Sequence, residues 1–244
     1  MDEEPRVGSR YLDGRYLEAN PTWHEEDAPE KAGWILDMLA AHGDIRVKSI
    51  CDVGCGTGGV LDALQHRFGD DVRVVGFEPS VVAVRLALEK RPGVEIIERG
   101  PTPDDGPFDV AVVLDVFEHI EDFYGFLRGL HGLADNFVFH IPLDMTAFNV
   151  LRVRELMSIR ETLGHIHHFC PQTARASLES TGYEIVDERF TLVAGTLDRN
   201  QSLSVKLLRI VRRIGFKRAP DLTSRMIGGV SLLVLARSAD DRVA

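Results

Sequence analysis

The stretch SICDVGCGTGGVLDAL, residues 49–64, decides how the rest of the chain is read. An apolar, β-rich run leads into a turn carrying Gly54, Gly56, Gly58 and Gly59, and an amphipathic run follows. Gly54, Gly56 and Gly59 satisfy G-x-G-x-x-G between a strand pattern and a helix pattern, where backbone can pass close to a ligand. An acidic residue, Glu78, stands roughly 20 residues further on, at the end of the next apolar run. A carboxylate there accepts hydrogen bonds from two ribose hydroxyls.

Outward from this stretch, short apolar runs alternate with amphipathic ones. VKSICDV, VRVVGFE, VEIIE, FDVAVVLDV and NFVFHIP read as strands, with helical patterns at 58–68, 80–90 and 121–133. Continuous apolar strands separated by helices imply a parallel sheet covered on both faces. Upstream, Asp27 is expected to cap a helix, with Pro29 in its first turn, Glu30 at capping-box spacing and Gly43 closing it. The last third changes character. Residues 145–164 read as an inserted helix and 171–182 as a regular one. YEIVDERFTL and GGVSLLVLAR then read as an antiparallel pair, with the helical SLSVKLLRIVRRIGF between them.

Composition bounds the function. The 244 residues suit one α/β domain, and 44% hydrophobic with 27% charged residues is ordinary globular composition. A net charge of −10 disfavours nucleic-acid binding through the whole surface. The acidic start MDEEPRVGSR lacks the apolar core of a signal peptide, and no apolar run approaches the ~18–20 residues of a membrane span. A cytoplasmic protein without membrane insertion is therefore expected. Cys51, Cys55 and Cys170 read as reduced thiols.

Asp52 separates two ligand classes. A dinucleotide diphosphate over the glycine turn would meet this carboxylate in a partly desolvated crevice, and like charges repel strongly there. S-adenosylmethionine instead brings an ammonium and a sulfonium, both of which Asp52 favours. A nicotinamide-dependent oxidoreductase is the alternative, and a catalytically silent relative of the same fold is another.

With Asp52 and the glycines placed, DVGCGTG (52–58) resembles the first motif of class I S-adenosylmethionine-dependent methyltransferases. GFEPS (76–80) is similar to their acidic second-strand motif, and FDVAVVLDVFEHIED (108–122) to their fourth strand and its loop. GHIHHFCPQTARASLESTGYEIVD (164–187) resembles the segment entering their sixth strand. The likeness spans roughly residues 28–190 plus the last strand, and points to small-molecule enzymes of ubiquinone biosynthesis and natural-product or sugar modification. It implies a Rossmann-like α/β fold with seven strands in the order 3-2-1-4-5-7-6, helices on both faces and the last-inserted strand antiparallel. By position, Asp52, Gly54, Cys55, Gly56, Thr57 and Gly58 would hold the amino-acid part of the cofactor. Glu78 and Pro79 would hold the ribose, and Asp115 and Val116 would line the methionine side. Where the family often places a small-acidic pair against adenine, this chain has ERGPTPDDG (98–106), leaving Gly100 and Thr102 as stand-ins.

Three histidines are candidates to take a proton from a hydroxyl acceptor: His165, His140 and His119. A packing or capping role stays open for each, as does a mechanism that needs positioning alone. No metal is expected. His165, His167 and His168 sit at loop spacing that spreads their rings, and no carboxylate in the sequence clearly completes a site. Within an N-terminal arm (1–27), Trp23 and His24 can close over the cofactor or anchor the arm. Helical insertions at 145–168 and 200–218 are expected to cap the acceptor side of a single domain spanning 1–244. In the second, Leu203, Leu207, Ile210, Val211 and Ile214 share a face opposite Lys206, Arg209, Arg212 and Arg213, with Lys217 and Arg218 beyond. The basic face suits an anionic small-molecule acceptor, and the apolar stripe suits packing on the domain or in a homodimer.

Overall fold

Strand β1 (Ser49–Val53) is buried at its last four residues and β2 (Arg73–Phe77) likewise, as strands covered on both faces must be. The computed structural model describes residues 16, 17, 20, 22, 23, 25–192 and 203–239, with only the main chain for 203–209. β1 pairs in parallel with β2 on one side and with β4 (Phe108–Leu114) on the other. β3 (Glu95–Ile97) extends the sheet beyond β2, and β5 (Ala134–Pro142) lies beside β4. β7 (Val230–Ser238) inserts antiparallel between β5 and the edge strand β6 (Tyr183–Leu192). The order is therefore β3-β2-β1-β4-β5-β7-β6, as the motifs imply.

Helices follow the strands. α1 (Ala28–Ala41) precedes β1, α2 (Gly59–Phe68) follows it, and α3 (Val81–Lys90) follows β2. α4 (Phe123–Gly129) links β4 to β5, and α7 (Pro171–Ser180) leads into β6. On one face of the sheet Ile35 and Met38 of α1 and Leu64 of α2 are fully buried against Ile50, Val110 and Val138. Each such side chain stabilises the fold by about 1.5–3 kcal/mol. The other face buries Phe77, Phe117, Phe137 and Phe139 with Leu127 of α4 and Leu178 of α7.

Three local expectations change. Asp27 has helical backbone angles (φ −88°, ψ −11°) and makes no capping bond, because Glu25–Asp27 already form a 3₁₀ turn ahead of α1. His42, not Gly43, closes the helix. The 145–164 segment is two helices, α5 (Ala147–Leu151) and α6 (Val153–Thr162), broken at Arg152. Between β6 and β7, α8 (Leu203–Arg218) is followed by a short α9 (Pro220–Met226), which packs against α5, α7 and β7. Ile210, Val211 and Ile214 of α8 stand about half exposed rather than packed on the chain. The side chains of Leu203, Leu207, Lys206 and Arg209, together with His24 and most of the arm, lie outside the described residues.

Candidate active site

Because strand order reverses around β1, a crevice opens beyond the carboxyl ends of β1 and β4, where open α/β sheets bind ligands. The glycine turn lies there. Gly54 (φ +75°) donates its N–H to the carbonyl of Phe77 at 2.8 Å, and a Cβ on it would sit 2.8 Å from Val116 Cγ2. Gly56 (φ +55°) is covered by Trp23, whose Nε1 would lie 2.7 Å from such a Cβ. Only glycine combines left-handed backbone with these close approaches. Trp23 (φ +50°) in turn packs edge-on against Tyr16 with ring centroids 4.8 Å apart. Arg91 secures the turn from below, donating to the Thr57 carbonyl at 3.1 Å and to Glu25 at 3.2 Å.

Glu78 locks the turn to β2. Its Oε2 accepts from the Gly56 N–H at 2.9 Å and its Oε1 from the Ser80 N–H at 2.8 Å. Burial raises its pKa in spite of both bonds. Asp52 differs. It is only 3% exposed, and among the described residues no hydrogen bond to its carboxylate is found. Burial first, then Glu78, push its pKa up to about 7, against the pull of Lys31.

Asp115, in left-handed backbone (φ +53°), is held from two sides. Lys31 Nζ of α1 donates to its Oδ2, and His140 Nδ1 bonds its Oδ1, both at 2.6 Å. Burial opposes its ionisation, but His140 and Lys31 outweigh this and hold it well below the usual carboxylate range. The other nitrogen of His140, Nε2, meets Thr191 Oγ1 at 2.9 Å, and Trp34 stacks on the ring at 5.3 Å. Both nitrogens of this 1%-exposed ring are thus committed within the protein.

The remaining wall is histidine-rich. His165 Nδ1 bonds Asp144 Oδ2 at 2.5 Å, just past the end of β5. Burial pushes Asp144 up, yet its bond to His165 and the nearby His168 ring, 4.0 Å away, prevail and set it at about 2. His119 rests edge-on against His165 at 4.9 Å, with its Nδ1 3.1 Å from the Gly164 carbonyl. Glu118 lies beside them, 1% exposed, with neither carboxylate oxygen hydrogen-bonded. Burial, then Asp115, raise its pKa well above the ordinary value. Its main-chain carbonyl accepts from Ile166 N–H at 2.9 Å and His167 N–H at 3.1 Å, tying the two loops together.

A cavity of about 350 Å³ joins these groups, within the roughly 300–1,000 Å³ of small-molecule sites. Asp52, Gly54, Cys55, Gly56, Thr57 and Trp23 line one side. Asp115, His119, His165 and Asp144 line the other. Gly58, Glu78, Pro79, Val116 and His140 fall outside its wall, though Glu78 and Val116 shape the turn. Thr102, set against the adenine, is tied into a turn by Asp105, which accepts from its N–H at 2.8 Å. Lys31, Asp144 and Glu118 were not singled out in the sequence. Asp144 follows a strand end, a signal available in principle, whereas no spacing marks Lys31.

An unpaired buried carboxylate, a glycine cradle and acidic walls suit a ligand with cationic centres. The methyltransferase domain family matches residues 23–188. The chain belongs to this methyltransferase family. S-adenosylmethionine is therefore its cofactor, and the site suits such a cationic ligand: Asp52 lines the cavity at 3% exposure with no hydrogen bond among the described residues. The ubiquinone biosynthesis O-methyltransferase of Xanthomonas campestris pv. campestris (strain B100) is 27% identical over 122 residues, 46% of this chain and 51% of that protein. That of Pseudomonas paraeruginosa (strain DSM 24068 / PA7) is 29% identical over 112 residues, 43% and 46% of the two chains. The matched region spans only about half the length of these curated relatives. In fold, the chain is similar to magnesium protoporphyrin IX methyltransferase from Synechocystis PCC 6803 with bound SAM. The TM-score is 0.59 at 14% identity, over 97% of this chain and 99% of that one. It is also similar to a cyclopropane synthase from Mycobacterium tuberculosis, with TM-score 0.57 at 14% identity over 97% and 100% of the two chains. Among the described residues of this methyltransferase, no helix is long and apolar enough to cross a membrane.

Proposed function

We propose that this methyltransferase acts on a hydroxyl of a small molecule, a sugar or secondary metabolite, as an O-methyltransferase. The observation that carries the reading is Asp52, a buried carboxylate without a protein hydrogen bond at the switch point, facing the cavity beside the glycine turn. S-adenosylmethionine supplies an electrophilic methyl group on a positively charged sulfur. Asp52 binds its ammonium, Glu78 accepts from its ribose, and Trp23 over Gly56 covers the turn and limits water. Asp115 is neutralised by Lys31 and His140 and acts by positioning the loop after β4. The acceptor enters at the histidine wall, where His165, oriented by Asp144, meets its hydroxyl. His140 is the weaker candidate for that role, because both its ring nitrogens are already bonded.

An anionic acceptor is supported only at the cavity's rim, where Arg212 of α8 approaches Gly229. Inside, Glu25, Asp27, Asp52, Asp115 and Asp144 face a single lysine, Lys31. The cavity therefore favours a neutral acceptor group at the reacting position. The relatives named as ubiquinone-pathway O-methyltransferases agree with an oxygen acceptor.

Calorimetry with S-adenosylmethionine and with NADH tests the cofactor reading. Micromolar binding of the first and none of the second is expected, with Asp52→Ala or Glu78→Ala each weakening it by about 1–3 kcal/mol. Tight NADH binding refutes the reading. Cofactor binding without turnover on any hydroxylated acceptor would instead mark a silent relative.

A further inference from the structure

We infer that Glu118, His119 and His165 form a binding site for one divalent transition-metal ion, open toward the acceptor side of the cavity. One ligand atom from each of the three lies within 4.8 Å of the others. The sequence could not show this, because His165 lies on a loop 46 residues beyond His119 and the missing carboxylate sits next to His119. The fold supplies it.

Two further observations point to a ligand. First, Glu118 is 1% exposed and neither carboxylate oxygen has a hydrogen-bond partner. A buried carboxyl in that condition is costly. Its Oε1 lies 3.8 Å from His119 Nε2, so the carboxyl points into the cluster. A cation there would give the Glu118 carboxyl the partner it lacks. Second, both imidazoles carry the outer contacts typical of metal ligands. His165 Nδ1 bonds the Asp144 carboxylate at 2.5 Å, and His119 Nδ1 bonds the Gly164 carbonyl at 3.1 Å. Carbonyl and carboxylate oxygens only accept, so each Nδ1 carries a proton and Nε2 is the ring nitrogen that would coordinate an ion.

Two imidazoles and a carboxylate favour zinc, manganese or iron(II) over magnesium. Bonds of about 2.0–2.2 Å require the three side chains to draw together by roughly an ångström. His119 and His165 line the cavity, so the ion's remaining positions face it and accept an oxygen ligand; in the metal-bound chain the ion, not the His165 ring, meets the acceptor hydroxyl. That last use rests on the methyl-transfer reading; the metal site itself does not.

The test uses the full chain, stripped with a chelator and titrated with Zn²⁺ alone and Co²⁺ alone, without cofactor or acceptor. One site of micromolar affinity is expected, with a rise in melting temperature and a visible Co²⁺ absorption band of low-symmetry coordination. Glu118→Gln and His165→Ala should each weaken Zn²⁺ binding by about 100-fold or more. Replacing His66, an exposed histidine elsewhere (79% exposed side chain), should change nothing. Should Glu118→Gln fail to fold, His119→Ala takes its place. Wild-type affinity weaker than about 100 µM, or equal affinity in the cluster variants, overturns the site. Because no arm measures turnover, failure here leaves the methyl-transfer reading standing, and failure of S-adenosylmethionine binding leaves the metal site standing.

Discussion

Replacing Asp52 by Asn should stabilise the cofactor-free chain while weakening its hold on S-adenosylmethionine. Burial and Glu78 raise the Asp52 pKa from 3.8 to about 7. Between those values the folded chain keeps a proton that the unfolded chain has released. Stability therefore falls as pH rises from about 4 to 7, and the full cost persists above 7. At 1.36 kcal/mol per pH unit that cost is about 4 kcal/mol, an upper figure because a buried carboxylate relaxes its surroundings. Asn keeps the shape without the charge, so a gain of about 2–4 kcal/mol is expected at pH 8. For a chain of this size that raises Tm by roughly 5–15 °C. Thermal melts of wild type and variant from pH 4 to 8.5, without cofactor, measure it. The gain should shrink to a few tenths of a kcal/mol near pH 4, where folded Asp52 is protonated and the unfolded chain is close to its own pKa of 3.8. Calorimetry at pH 8 should show cofactor binding weakened by about 1–3 kcal/mol. Equal melting temperatures at pH 8, or a gain of the same size at pH 4, would refute the argument that an unpaired buried charge is waiting for a cation.

Asp144 works in the opposite sense. Its folded pKa of about 2 lies below the ordinary 3.8, so its stabilisation is present above about pH 4 and is lost as pH falls through 2. Asp144→Asn should cost about 2 kcal/mol at pH 7, with melting curves converging in acid. His165→Ala should lower turnover about 100-fold or more with cofactor affinity nearly unchanged. His140→Ala should chiefly lower stability, by about 1–3 kcal/mol, because it strips Asp115 and Thr191 of partners; equal turnover losses in the two variants would reverse their ranking. Reversing Arg212 and Arg213 to Glu should raise acceptor KM at low salt if the acceptor is anionic, an effect that added salt suppresses. Unchanged kinetics together with loss of a dimer on sizing would assign α8 to subunit packing.

The sheet was legible because its signals are local. Glycines at 54, 56 and 58, an acid before them and another at the next strand end fix β1, β2 and the turn, since few other residues fit that backbone. The terminal antiparallel pair was legible from two β-rich runs of matching length. What stayed hidden depended on residues far apart in the chain. Lys31 reaches Asp115 across 84 positions, and Asp144 reaches His165 across 21. Neither pair has a spacing that a linear pattern can report. His140 was placed correctly at a strand end, but its burial under Trp34 and its bond to Thr191 arise from the β6–β7 insertion. The Asp27 cap failed for a local reason: the acidic run Glu25–Asp27 coils one turn earlier than the Pro29 signal suggested.

Glu118 does two jobs through two parts of itself. Its carbonyl stitches the loop after β4 to the one before α7, through the N–H groups of Ile166 and His167. Its carboxyl takes no part in that stitch. The seam is therefore indifferent to which side chain the position carries, so long as the space is filled. Chemistry at this corner of the cavity can be rewritten, by natural drift or by a designer installing a different donor, without loosening the two loops that bring the histidines together.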